Sequence, residues 1–252
     1  MSPSRFEQFS DIEDRWGEIL SSPLWYLTII PEIQDLTEKL KNEAPGVQDV
    51  WKARLYDCFE RHLRAGDIRL GTESGVMDTE RKEIDTIVIH HTSNPPGLRL
   101  DRLSAIELMR LYGPYFEKPT FDEDKHLKGQ PIYSGHVRGG KQVFWPYHWI
   151  IRRDGHADRL LFDSEVGWHA GNWEVNCRSI AIALDNDYEL DRSSKTELKA
   201  IANLVRGRYS NIPITRILGH REVNSRTICP SQLFLNTPGV TGWKEDLISL
   251  IR

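Results

Sequence analysis

The chain has 252 residues, 39% of them hydrophobic and 28% charged, the balance of a water-soluble globular protein with room for one medium domain and an accessory segment. A net charge of −4 supplies no basic footprint for nucleic acid, and three cysteines are too few for a disulfide framework. The most apolar early run, Leu24 to Ile30, is too short to span a bilayer, so no membrane insertion is expected. The start, Met1 to Phe6, lacks an apolar secretory core, so the expected place of synthesis is a reducing cytoplasm, with later release to an outer compartment left open.

Charge divides the chain. Residues 1–80 carry 9 Lys+Arg against 16 Asp+Glu, a balance of −7, which leaves +3 for residues 81–252. Within the acidic part, Phe6, Phe9, Ile12, Trp16, Ile19 and Leu20 fall at helical spacing. Pro31 suits a first helical turn, followed by Ile33, Leu36 and Leu40. A third periodic run has Val47, Val50, Trp51, Leu55, Cys58, Phe59 and Leu63, and stops before Gly66. Residues 1–80 are therefore expected to form a helical N-terminal extension, with 66–81 as connector.

The pattern then changes. Thr86 to His90 is a short β-branched strand, and Leu103 to Tyr112 is helical. Residues 113–146 form a long polar and aromatic excursion with a hairpin turn at Gly139-Gly140. Tyr147 to Arg152 and Ala157 to Phe162 read as strands around a turn at Asp154-Gly155. Ser179 to Leu184 is a further strand, Ser194 to Tyr209 a helix, Ile214 to Leu218 a strand, and Trp243 to Ile251 a terminal helix. The expected fold class is α/β, a mixed central β-sheet flanked by helices, over residues 81–252.

His90 closes one expected strand, His220 follows another, and Cys229 lies nine residues further on, before Pro230. Two imidazoles and a thiolate with a fourth position open are the make-up of a hydrolytic zinc site, provided that the three meet in space. A strand end is a rigid base from which to aim such ligands.

In chain order stand Ile87-Val88-Ile89-His90-His91-Thr92, the run 147–155 from Tyr147 to Gly155, Trp168-His169-Ala170-Gly171, Ser179-Ile180-Ala181-Ile182, and Gly219-His220-Arg221-Glu222 with Cys229-Pro230. This set resembles the zinc N-acetylmuramoyl-L-alanine amidases, the group that includes phage lysozyme-type amidases and peptidoglycan recognition proteins. The resemblance covers about residues 83–250. Any one motif is weak, whereas five in order are specific.

The resemblance implies Zn2+ held by His90, His220 and Cys229, with His90 the ligand and His91 on the opposite face of the strand. It implies Tyr147 as a catalytic tyrosine and Thr227 as a second group near the metal, which orient water or bind the oxyanion. It makes Trp168, His169 and Asn172 substrate contacts in a groove. The implied reaction is hydrolysis of the amide between N-acetylmuramic acid and L-alanine, in peptidoglycan or soluble muropeptides. Non-catalytic recognition members lose the cysteine, which this chain keeps. The runner-up is accordingly a peptidoglycan-binding module without turnover. A glycosidase needs two carboxylates placed across a sugar, and no such pair stands out. Glu165 and Glu222 are nearby carboxylates without a strong case as the acid for the leaving amine. Oligomeric state and stem-peptide preference have no signature in the sequence.

Overall fold

The computed structural model describes residues 5–73, 77–117 and 130–252, with side chains described from residue 13 onward. The chain divides into two compact units, neither of them contiguous: one comprises residues up to 76 with 100–144, the other 77–99 with 145–252. The sequence expectation places 100–144 in the C-terminal segment, whereas compactness groups them with the N-terminal helices.

The first unit holds α1 (Arg5–Leu20), α2 (Tyr26–Leu40) and α3 (Pro45–Ala65), together with α4 (Leu100–Glu117) and a small hairpin of β2 (Val137–Arg138) and β3 (Lys141–Gln142). The hairpin turns at Gly139 and Gly140, both at positive φ, as the glycine pair predicts. Pro31 is not in a first turn. The helix already begins at Tyr26, because Tyr26, Ile29, Ile30 and Ile33 share one buried stripe whose packing outweighs the lost backbone donor. Likewise α4 runs five residues past Tyr112, through Pro114, because Tyr112 and Tyr115 are both fully buried. Part of the 113–146 excursion is thus helix, and residues 118–129 lie outside the described residues. Aromatic rings fill this core: Trp25 and Tyr112 lie 4.5 Å apart by ring centroids, and Tyr26 and Tyr115 4.8 Å. The Ile132 N–H donates to the Tyr112 hydroxyl at 2.6 Å. Ion pairs Arg102–Asp57 and Arg64–Asp101 tie α4 to α3.

The second unit is built on a five-stranded sheet: β1 (Thr86–His91), β4 (Trp149–Ile151), β5 (Ala157–Arg159), β6 (Ser179–Leu184) and β7 (Ile217–Gly219), in the order β5-β4-β6-β1-β7. Only the β4–β5 pair is antiparallel. The sheet is therefore mixed, and helices flank it, as expected. The observed β7 starts later than the sequence suggests, since Ile214–Arg216 is a 3-10 turn entered from Pro213. Two short helices were not legible in the sequence: α5 (Trp173–Arg178) and α7 (His220–Val223).

Strand alternation sorts the central strand. Ile87 and Ile89 join Ile180, Ile182, Leu198, Ile201, Val205, Trp243 and Leu247 in one core, against α6 (Lys195–Arg208) and α8 (Trp243–Ile251). Val88 packs on the other side with Ala170 and Val175. His90 shares the Val88 face by period two. The sheet thus drives its apolar core with one face and presents an imidazole from the end of the other. Among the described residues, no helix is long and apolar enough to cross a membrane.

Candidate metal centre

Three separate elements converge. His90 comes from the end of β1, and His220 is the first residue of α7, directly after β7. Cys229 lies in the following loop, where its carbonyl accepts from the Arg221 N–H at 2.8 Å and so ties it back to α7. One donor atom from each of the three lies within 4.8 Å of the others, the metal-type grouping found among the described residues. Cys229 Sγ is 3.8 Å from His90 Nδ1, and the His90 and His220 ring centroids are 4.6 Å apart.

Four features of the cluster bear on whether these residues fit a metal. A tetrahedral zinc with bonds of about 2.0–2.1 Å to nitrogen and 2.3 Å to sulfur holds such a pair about 3.6 Å apart, close to the observed Sγ–Nδ1 spacing. His220 Nε2 is buried without a hydrogen-bond partner, while the ring is anchored by a hydrogen bond to the backbone at Ala170. A buried polar atom left bare is costly unless something else meets it. Burial also pushes the pKa of His90 well below its usual range, with the neighbouring His220 adding to the effect, and burial lowers that of His220. Both rings are therefore neutral at pH 7 and offer lone pairs. The Cys229 sulfur accepts from the His91 N–H at 3.4 Å, which fixes its place beside the end of β1.

Tyr147 belongs to the same cluster, its ring 5.1 Å from that of His90. Thr227 acts first on the backbone: its hydroxyl accepts from the Cys229 N–H at 3.1 Å, which leaves the threonine proton to be donated elsewhere. Trp168 is half-buried against Trp173, with ring centroids 5.7 Å apart. Asn172 is exposed and caps α5, accepting from the Val175 N–H at 3.3 Å.

His169 departs from the expected substrate contact. The side chain is buried, and both ring nitrogens are taken up by protein groups: Nδ1 by His90 Nε2 at 2.9 Å, and Nε2 by Ser179 Oγ at 3.1 Å. Its loop is held by Asn176, whose Oδ1 accepts from the His169 and Ala170 N–H groups at 3.2 and 2.8 Å. The turn that follows needs Gly171, which has φ +62° and where a Cβ would stand 2.5 Å from Asn224 Nδ2.

His91 points away from the cluster. Its Nδ1 accepts from the Tyr188 N–H at 2.9 Å and its Nε2 faces Ser93 Oγ at 3.0 Å. Ser93, His91 and Asp187 have the outline of a nucleophile triad, with Ser93 at φ 53° and Asp187 3.5 Å from Nδ1. The backbone donor reverses it. Nδ1 is bare, so the proton sits on Nε2 and points at the serine, which excludes a general-base role. Glu165 and Glu222 are also spoken for. Glu165 accepts from the Phe162 N–H at 2.6 Å, and Glu222 from the Gly219 N–H at 2.7 Å and from Lys244 at 2.8 Å.

Sequence reasoning missed three supports: Asn176, Ser179 and Arg81. The Arg81 guanidinium is desolvated enough to lower its pKa, and it donates to the carbonyls of Asp163, Asn176, Cys177 and Ser179 at 2.8–3.3 Å. The available signal was slight: a serine heading an otherwise apolar strand and an asparagine at the end of a short amphipathic run. None of the three cysteines forms a disulfide, and burial pushes the Cys58 thiol up to about 12, as suits an inert core residue.

A mixed α/β sheet carries two histidines at the ends of adjoining strands and a cysteine in the loop that follows, a grouping that could hold a metal ion. The sequence profile of the N-acetylmuramoyl-L-alanine amidase family matches residues 80–232, more than half of the chain, so the protein belongs to that family. It is accordingly an N-acetylmuramoyl-L-alanine amidase, acting on peptidoglycan. No curated protein matches the sequence. Among solved structures it is similar to an endolysin N-acetylmuramoyl-L-alanine amidase from Clostridium intestinale URNW (21% identity over 65% of this chain and 83% of that one, TM-score 0.41). It is also similar to a selenomethionine derivative of AmpD (18%, 73% and 93%, TM-score 0.45) and to the endolysin of a Thermus scotoductus bacteriophage (16%, 68% and 86%, TM-score 0.40).

Proposed function

We propose that the amidase is zinc-dependent and that His90, His220 and Cys229 are the metal ligands. The observation that carries this is the convergence of one donor atom each from His90, His220 and Cys229, with Cys229 Sγ 3.8 Å from His90 Nδ1. When bound, zinc supplies a Lewis acid that polarises the scissile carbonyl and lowers the pKa of water for attack on it. Two neutral imidazoles and one thiolate leave a net single positive charge on the occupied centre, enough to favour a developing oxyanion.

The remaining roles fall to the chain. The Tyr147 hydroxyl orients the attacking water or donates to the scissile carbonyl oxygen, from a ring packed beside His90. Thr227 keeps its proton for the same oxygen, because its acceptor side is committed to the Cys229 N–H. Trp168 offers a flat indole to the sugar or stem peptide, and Asn172, at the exposed start of α5, offers an amide to the peptide. His169 has no nitrogen left for substrate. The catalytic segment is residues 81–252, with 1–80 as a helical extension, a boundary supported by the start of the family match at residue 80.

The test is metal content by plasma emission on wild type and Cys229→Ala, with amine release from sacculi and from soluble muropeptides measured on both. About one zinc per chain in the wild type, lost in the variant together with activity, is expected. Wild type that holds no zinc and gains no activity with added metal would sink the proposal.

A further inference from the structure

The two ring nitrogens of His90 face different partners, and the protein has to decide which carries the proton. That decision can be traced from a residue well away from the cluster. Ser179 heads β6 directly after α5, and its Oγ lies 2.6 Å from the Val175 carbonyl, four residues back. A carbonyl only accepts, so the one hydroxyl proton of Ser179 is committed there. His169 Nε2, 3.1 Å from the same oxygen, must then be the donor. A neutral imidazole has one N–H, so His169 Nδ1 is bare and accepts from His90 Nε2–H at 2.9 Å. His90 Nδ1 is left with its lone pair, 3.8 Å from Cys229 Sγ. Reversing any link would set two protons or two lone pairs against each other.

We propose that His169, backed by Ser179, is a positioning residue that fixes the tautomer and ring orientation of His90 and so presents its Nδ1 lone pair to the metal. The proposal rests on the metal-centre reading above. The chain of donors runs His90 to His169 to Ser179 to the Val175 carbonyl, and all three side chains are buried. Water is thus kept from competing at each link. Metal-bound histidines commonly hand their second N–H to a carboxylate or a carbonyl. Here a neutral histidine and a hydroxyl do that work and bring no negative charge beneath the site. Asn176 Oδ1 accepts from the His169 and Ala170 N–H groups, and Arg81 donates to the Asn176 and Ser179 carbonyls, so the backbone on both sides of the relay is held by hydrogen bonds.

The test uses the full chain with three substitutions. His169→Leu fills the space but offers no acceptor. His169→Gln restores an acceptor oxygen for His90 Nε2–H. Ser179→Ala removes the anchor for His169. Zinc affinity is read by chelator competition, and the His90 tautomer by long-range nitrogen–proton spectra of the metal-free protein. His169→Leu should weaken zinc binding by about 10–100-fold and leave His90 without a single Nε2–H tautomer. His169→Gln should recover most of the affinity, and Ser179→Ala should show the same direction with a smaller loss. A folded His169→Leu protein with unchanged affinity would overturn the proposal, and so would wild-type His90 protonated on Nδ1. If His169→Leu does not fold, the wild-type spectrum decides alone. If the wild type binds no zinc, the metal reading fails while the metal-free spectra still decide the relay.

Discussion

Gly219 is the residue through which the sheet hands the chain to His220, and its requirement is for space. Its φ of −83° is open to any residue, but a Cβ there would meet Phe234 at 2.5 and 2.7 Å and Pro230 Cδ at 2.9 Å. Carbon atoms in good contact sit about 3.5–4.0 Å apart, so Gly219→Ala asks the Phe234 ring to retreat by about 1 Å. The ring has nowhere to go: it is fully buried and lies edge-on to Trp243 at 4.5 Å. Overpacking of a tight core costs about 1–3 kcal/mol, and two simultaneous clashes place this case at the upper end. For a chain of this size that is a fall in Tm of about 6–12 °C. The assay is thermal and urea unfolding of Gly219→Ala, Phe234→Leu and the double variant. Removing the ring should relieve the clash, so the double variant should be more stable than the sum of the singles by about 1 kcal/mol or more. Zinc affinity of Gly219→Ala should fall in parallel, because the next residue is a proposed ligand. A Tm within about 2 °C of wild type, or strict additivity with Phe234→Leu, would refute the steric reasoning.

Asp185, nearly fully buried, accepts from the Gly97 and Leu98 N–H groups at 2.8 and 3.1 Å and from Arg152 at 2.6 Å. Asp185→Ala should cost about 3–5 kcal/mol in urea unfolding, and a loss under about 1 kcal/mol would show the network to be dispensable. Tyr147→Phe should lower amine release by about 10²–10³-fold with zinc content unchanged; activity within tenfold of wild type would remove the tyrosine from the chemistry. Burial holds the pKa of His90, His169 and His220 below the ordinary histidine value of about 6.5. The unfolded chain therefore binds more protons than the native state once pH drops below about 6.5. Stability of the metal-free protein should be flat above that value and fall progressively below it, down through the folded pKa values. Urea midpoints that stay constant from pH 7.5 to 5.5 would contradict the assignment of neutral, buried rings.

The sequence by itself determined the element types over most of the second unit, because period-two and period-3.6 patterns are local and a strand such as Thr86–His91 has no other way to bury Ile87 and Ile89. It also determined the chemistry on offer, two imidazoles and a thiolate in an order that resembles one family. Boundaries failed where long-range packing overrode local signals: Pro31 and Pro114 lie inside helices because buried neighbours hold the chain helical around them. Only the tertiary structure decided that His90, His220 and Cys229 meet, since their convergence depends on the parallel register that sets β1 beside β7. It also grouped residues 100–144 with the N-terminal helices. The role of His169 was closed to the sequence for a related reason. Residue type says that a histidine has two nitrogens, and only the partners around it say which are already used.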